Sequence, residues 1–306
     1  MQIPEKFVNT VISTWGDTGA HWLKELPSLI SYCKEKWQLT HLDPHDNLSY
    51  NYILFVNRIN DPTKMILKLC PPNPDFKHKI RTLSHYNGHG AVKLLDYDLE
   101  KGALLMEAIL PGTSLKSYFP KKDLDAVSIV VKIMNQLHSR KLPTNKTGIP
   151  TIEQWLKHLD FHTHNLPEPL IKKAKELSAH LLKTTNATVL LHGDLHHDNI
   201  LLHHKEWTSI DPKGVVGEPA YEVGAFIRNP MPELLVQKNP SEIIQQRLDQ
   251  FSTLLCVEKL RLCQWCFVQA VLSACFAYED NVNWRQWIEC AELIQSGSSY
   301  FFLSEL

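Results

Sequence analysis

Residues 189–214, VLLHGDLHHDNILLHHKEWTSIDPKG, hold three side chains whose types and spacing suit phosphoryl transfer from a nucleotide. Asp194 lies in HGD, Asn199 follows five residues later, and Asp211 lies in IDPKG. Such a transfer needs a carboxylate to take the proton of the attacking hydroxyl. It also needs an amide oxygen and a second carboxylate to hold Mg²⁺ against the phosphates. Each residue alone is an ordinary loop residue; the ordered set is much rarer. Val189, Leu190 and Leu191 precede the set, and Ile200, Leu201 and Leu202 sit inside it. Those short apolar runs read as strands that grip the loop from both sides.

Several elements must position these groups. The first forty residues read as amphipathic helix, with Phe7, Val8, Val11, Ile12 and Trp15 at helical spacing. Trp22, Leu23, Leu26, Leu29 and Ile30 continue the pattern across an expected interruption at Pro27. Strands follow at residues 50–56, 65–69, 91–97 and 103–108, with turns at Asp61-Pro62 and at residues 98–102. This is the pattern of a small antiparallel sheet. Pro111 and Gly112 mark an expected hinge, and the chain is helical beyond it. Asp123 reads as a cap, Thr151 with Gln154 as a capping box, and Ser241 as a cap for a helix over 243–255. Further helices are expected at 168–182 and onward to about Ile294. The domain division expected is 1–109 and 110–306.

Composition narrows the function classes. A chain of 306 residues has room for two domains. Its net charge of −1 supplies no general field for nucleic acid or an anionic membrane. The N-terminus lacks a basic segment followed by an apolar core, so it does not read as a signal peptide, and a cytoplasmic protein is expected. The longest apolar stretch, 265–278, is too short to span a bilayer and reads as a buried helix. The cysteines read as buried and reduced. Cys263 and Cys266 share a helix face, with no second such pair beside them.

The motifs HGDLHHDNIL, IDPKG and GEPAYEVG resemble those of the aminoglycoside phosphotransferase-like kinases. The nearest branch is the streptomycin 6-kinase and hydroxyurea-resistance kinase group, in which Asp-Pro-Lys stands where protein kinases have Asp-Phe-Gly. The likeness runs from about Tyr50 to about Asp280. The spacing Asp-x-x-x-x-Asn is also that of the protein-kinase catalytic loop. The resemblance implies an α+β, protein-kinase-like two-lobe fold. An N-terminal antiparallel-sheet lobe would bind ATP, and a larger helical lobe would carry catalysis and the acceptor. Asp194 would act on the acceptor hydroxyl, and Asn199 and Asp211 would hold Mg²⁺.

The resemblance extends to further positions. Lys68, inside the apolar strand Met-Ile-Leu-Lys-Leu, is either an exposed edge residue or the lysine that touches the nucleotide phosphates. The backbone of Glu107, Ala108 and Ile109 would meet the adenine edge. Ser49, in the glycine-free stretch PHDNLSYNY, is either a phosphate contact or a turn residue, with Asn47 and Asn51 beside it. The helix that should supply a Glu to brace Lys68 has Lys79 at that place, and Asp75 is the substitute within reach. The histidines of the motif read as bracing and turn residues, with His192 bonded within the loop.

Only about ten residues separate Asp211 from the next helix near Pro219. A peptide acceptor needs a long activation segment there, so a small molecule fits better. Acids near the end of the chain, Asp280 with Glu279 as alternate, would pair with a cationic acceptor. The reading is a Mg- and ATP-dependent phosphotransferase for a hydroxyl of a small polar, cationic molecule, an aminoglycoside such as streptomycin. Another hydroxylated metabolite, or a nucleotide-binding pseudokinase without turnover, is the alternative.

Overall fold

The computed structural model describes residues 3–46, 48–73, 75–142, 148–160 and 165–297. Its contacts divide the chain into two compact units, with the boundary between Leu110 and Pro111.

The first unit opens with α1 (Glu5–Trp37). The helix does not break at Pro27. Pro27 is exposed, so the bond its missing N–H forfeits faces water, where it is easily replaced. The kink is at Gly16, whose φ of 54° and ψ of −131° suit only glycine. Gly19 lets the two halves meet, since a Cβ there would stand 2.6 Å from the Val11 carbonyl oxygen.

Beyond α1 come β1 (Leu39–Pro44), β2 (Tyr52–Arg58), β3 (Asp61–Leu69), α2 (Phe76–Tyr86), β4 (Leu94–Asp98) and β5 (Ala103–Glu107). The strands form one antiparallel sheet in the order β1-β2-β3-β5-β4. β1 was not expected from sequence; it is short and mostly exposed, so its apolar signal is weak. β2 alternates buried and half-buried positions, and its Tyr52, Leu54 and Val56 face the core. Phe7, Val11, Trp22, Leu26, Ile30, Cys33 and Trp37 of α1 lie in the same apolar cluster as this sheet face.

The second unit is mostly helical. In chain order it contains β6 (Pro111–Ser114), α3 (Asp123–His138), α4 (Ile152–Leu156), α5 (Glu168–Lys183), β7 (Val189–Leu191), β8 (Ile200–His203), β9 (Glu206–Ser209) and β10 (Val215–Gly217). Then follow α6 (Val223–Ile227), α7 (Pro240–Leu255), α8 (Lys259–Glu279) and α9 (Arg285–Ser296). The expected hinge residues Pro111 and Gly112 lie in β6, which pairs with β8. The capping box at Thr151 and Gln154 is present. α8 is the core helix, packed against α5, α6, α7 and α9. It is long and apolar enough to cross a bilayer by composition, yet most of it is buried inside this unit. Cys263 and Cys266 on it are buried and not joined in a disulfide.

Two expected caps do something else. Ser241 is already the second residue of α7, and Asn239 holds the cap position. Asp123 is the first residue of α3 and makes no cap bond. Its carboxylate is taken by Arg247, which donates from Nε and Nη2 at 2.7 Å each. Arg247 is fully buried and also donates from Nη1 to the carbonyls of Phe226, Ile227 and Asn229. Such a fork binds a planar carboxylate and gives every nitrogen of the guanidinium a partner.

This pair ties stability to pH. Burial alone would raise the Asp123 carboxyl, but the hydrogen bonds and charge of Arg247, with His197 beside it, hold it at about 2. A depressed carboxyl gives stability that is present above the unfolded value near 4 and lost as pH falls toward 2, on the order of 2 kcal/mol. Asp123→Asn should flatten the stability curve between pH 4 and 2, read by urea unfolding at several pH values. Arg247→Met, which strands the buried carboxylate, should cost about 3–5 kcal/mol at pH 7.

Candidate active site

The loop that carries Asp194 is built from backbone bonds. β7 pairs with β10, and β8 with β9, so residues 192–199 are held at both ends. Gly193 has φ of 80°, and a Cβ on it would come 2.9 Å from the Trp155 ring, so only glycine fits. The His192 carbonyl accepts from Lys213 N and Gly214 N at 2.9 and 3.0 Å. This joins the HGD turn to the segment after Asp211. His192 is fully buried and bridges the same two segments. Its Nδ1 accepts from the Asp194 N–H at 3.3 Å, and its Nε2 donates to the Ile210 carbonyl at 2.9 Å. That network assigns the tautomer. Burial lowers its pKa and keeps the ring neutral, as the bridge requires.

Asn199 stands beside Asp211 because β8 and β9 pair. Ile210 N donates to the Asn199 carbonyl at 2.8 Å, one residue before Asp211. Asp211 has φ of 58°, a left-handed conformation that Asp tolerates better than most residues. The Asn199 amide nitrogen donates to the Asp194 carbonyl at 2.9 Å and lies 3.2 Å from His196 Nε2. With the amide nitrogen taken up in this way, the side-chain oxygen remains as the acceptor of the group. An amide oxygen next to a carboxylate is the hard donor set that Mg²⁺ prefers.

Two cations and a histidine ring stand around the Asp194 carboxylate. Lys213 Nζ lies 3.6 Å from Oδ2, while Arg228 Nη2 and His196 Nε2 each lie 3.9 Å from Oδ1. Burial would raise its pKa, but Lys213, His196 and Arg228 together hold it well below the usual carboxylate range. The group is an anion under all ordinary conditions.

Among the residues expected from sequence, the structure thus brings Asp194, Asn199 and Asp211 together. It also uncovers residues that sequence reading missed. Glu222, 2% exposed, accepts from the backbone N–H of His192 at 2.6 Å and of Gly193 at 2.9 Å. Arg228 reaches Asp194 from the end of α6. Glu222 stood in the quoted GEPAYEVG motif, but nothing near it in the chain shows what it holds.

The acids expected to meet an acceptor lie elsewhere in the second unit. Glu279 ends α8 and its carboxylate is 2.9 Å from His158 Nδ1. Asp280 caps the same helix and is exposed. Gln269 is the α8 residue bonded to Arg228, and Glu279 lies ten residues further, about 15 Å of helical rise. The structure does not gather these acids around Asp194.

In the first unit, Lys68 is 6% exposed on the central strand β3, opposite Ile53 and Leu104. The edge-strand reading is therefore wrong: β3 has a neighbour on each side. Asp75 does not serve Lys68. It precedes α2 with its side chain 77% exposed and 3.7 Å from His78. α2 itself carries no acid. Glu107 ends β5, and its side chain accepts from Lys93 N at 2.6 Å. Ala108 N donates to the Lys64 carbonyl at 3.3 Å, and Ile109 follows with its side chain buried. Ser49 lies exposed in the bend between β1 and β2; Asn47 lies outside the described residues.

Residues 42–281 match the model of the aminoglycoside/hydroxyurea antibiotic resistance kinases. A streptomycin 6-kinase of Streptomyces glaucescens is 24% identical, over 92% of each chain. A hydroxyurea phosphotransferase of Kitasatospora aureofaciens is 25% identical, over 92% of this chain and 82% of the relative. Among solved structures, a choline kinase of Streptococcus pneumoniae superposes with a TM-score of 0.63 at 15% identity, covering 89% of this chain and 99% of that one. An aminoglycoside phosphotransferase in complex with ADP and hygromycin B gives a TM-score of 0.64 at 13% identity, covering 87% and 96%. The fold is therefore protein-kinase-like, and the chain belongs to the aminoglycoside/hydroxyurea antibiotic resistance kinase family of small-molecule phosphotransferases.

Proposed function

We propose that the protein transfers the γ-phosphoryl group of ATP to a hydroxyl of a small polar, cationic molecule, an aminoglycoside such as streptomycin, with Mg²⁺. The observation that carries the reading is the set of Asp194, Asn199 and Asp211, joined by the Asn199 amide bond to the Asp194 carbonyl and the Ile210 bond to the Asn199 carbonyl. Asp194 orients the acceptor hydroxyl and takes its proton. Asn199 and Asp211 would hold Mg²⁺, which when bound neutralises charge on the phosphates. Lys68 on β3 contacts the phosphates, and Ser49 in the bend before β2 is a further phosphate contact. The adenine edge meets the backbone at Glu107 and Ile109, since Ala108 N is already bonded to Lys64.

A short segment from Asp211 to Pro219 supports a compact acceptor over a peptide. Asp280, with Glu279 as alternate, is the proposed outer contact for a cationic group on an acceptor long enough to reach it. The named relatives favour streptomycin over hydroxyurea only by their number, so an acceptor panel decides. The absence of an acid from α2 favours one second reading, a nucleotide binder without turnover.

Three outcomes are expected. Asp194→Ala should lower kcat by about 10²–10⁴ with little change in nucleotide affinity; turnover near that of the parent protein removes the assignment. Asp211→Ala should abolish Mg-dependent nucleotide binding or turnover, followed by calorimetry with and without Mg²⁺. Streptomycin and other aminoglycosides should bind the parent protein, and Asp280→Ala should weaken them without touching ATP. Normal ATP binding with no aminoglycoside binding would leave a kinase with another acceptor, and ATP binding with no transfer to any hydroxyl would establish the second reading.

A further inference from the structure

α8 is apolar along most of its length, yet Gln269 sits near its middle, 4% exposed. A buried carboxamide without partners costs about 1–3 kcal/mol. Here both ends are used. Nε2 donates to the Tyr221 carbonyl, and Oε1 accepts from Arg228 Nη1 at 2.8 Å. Room for the carboxamide comes from Gly224 on α6. A Cβ there would stand 2.6 Å from the Gln269 carboxamide carbon.

Arg228 is the buried member of the cations around Asp194. Its side chain is 10% exposed, whereas that of Lys213 is 60% exposed. Its guanidinium also lies 5.9 Å from the Trp287 ring on α9. Arg228 Nη2 stops 3.9 Å from Asp194 Oδ1, beyond hydrogen-bond range. An unrestrained Arg beside a carboxylate closes into a two-pronged pair at about 2.7–2.9 Å. A closed fork would occupy both oxygens of Asp194, one of which must face the acceptor hydroxyl. Something holds Arg228 back by about one ångström, and the bond to Gln269 is what the structure offers.

We propose that Gln269 is a positioning residue that restrains Arg228 from closing on Asp194, so that the carboxylate stays open to the acceptor hydroxyl. The inference rests on the role given above to Asp194. Gln269 touches neither Asp194 nor the reacting atoms and acts only through Arg228.

Gln269→Met keeps the volume and removes both bonds. Its kcat should fall at least about tenfold, since a shift of one ångström in a reacting group can cost 10²-fold. The KM for ATP should stay unchanged. Gln269→Glu loses the donor to the Tyr221 carbonyl but still accepts from Arg228, the contact that acts on Asp194, and should retain clearly more turnover than Gln269→Met. In an Arg228→Met background, Gln269→Met should have little further effect, because a residue that acts through another is not additive with it. A residue with a packing role alone would add its full loss. A crystal structure of Gln269→Met reads the geometry without any assay. Closure of Arg228 onto Asp194 to about 3 Å or less is expected. An unmoved Arg228, or parent-level kcat in folded Gln269→Met, or full additivity with Arg228→Met, overturns the proposal. If Gln269→Met does not fold, Gln269→Glu decides by the same two measurements, since loss of turnover there with Arg228 still bonded also overturns it. Absence of phosphotransfer by the parent protein defeats the reading of Asp194 instead, while the Arg228 distance still tests the restraint.

Discussion

One buried carboxylate fixes the loop on which the site is built. Glu222 accepts the N–H groups of His192 and Gly193, two consecutive donors at the tightest point of the turn. Neither donor can find a strand partner there, because the chain has left β7 and the backbone at Gly193 is left-handed. An unsatisfied buried N–H costs about as much as a lost hydrogen bond. The turn therefore exists in this form only while Glu222 stands beneath it. With it in place, the His192 carbonyl is free to accept from Lys213 and Gly214, and the His192 ring can bridge Asp194 and Ile210. The positions of Asp194 and Asp211 thus both descend from the same anchor.

The same unit holds a second polar interior group, and the two meet around α6. The Arg247 guanidinium that holds Asp123 also caps three carbonyls at the C-terminal end of α6, and the His197 ring stacks on Phe226 at 4.0 Å. His197 closes the loop from behind, since its carbonyl accepts from Ser114 Oγ at 2.9 Å. Burial pushes the His197 ring down to about 3, so it packs as a neutral aromatic. Buried charge of this kind is poor value as bulk stability, but it fixes geometry that apolar packing alone would leave free to slide. A loop that must present three oxygen groups in register gains from such rigidity.

What the chain reveals by itself follows the range over which each signal acts. The Asp194 loop was legible as a structural unit because its strands and turn lie within one short stretch. Pairing of β8 with β9 follows from sequence neighbours. The capping box at Thr151 was legible for the same reason. The roles of Glu222, Arg228 and Gln269 were not. Glu222 and Arg228 meet the loop after a gap of about thirty residues, Gln269 meets Arg228 after a longer one, and a single Gln in an apolar helix gives no hint of its partner. Pro27 and Asp123 mislead in a different way. Local propensity marks one as a break and the other as a cap. Tertiary setting overrides both, through exposure of Pro27 and through the distant Arg247 that takes the Asp123 carboxylate. Lys68 was placed on the right strand, but no local rule separates a central strand from an edge; the pairing with β5 does that.

The charge around Asp194 bears on how it works in the proposed reaction. Burial opposes its ionisation, and Lys213, His196 and Arg228 more than reverse that effect. A carboxylate stabilised this far is a weak base, and general-base catalysis falls with basicity. Proton removal is then a small part of what Asp194 contributes. That fits phosphoryl transfer through a loose transition state, in which bond formation to the attacking oxygen is slight and its proton is still held. Orientation of the hydroxyl matters more, and an anion that stays ionised is a constant hydrogen-bond acceptor. Lys213 and Arg228 weaken Asp194 as a base and keep it charged, so orienting the hydroxyl is the larger share of its proposed role and accepting the proton the smaller.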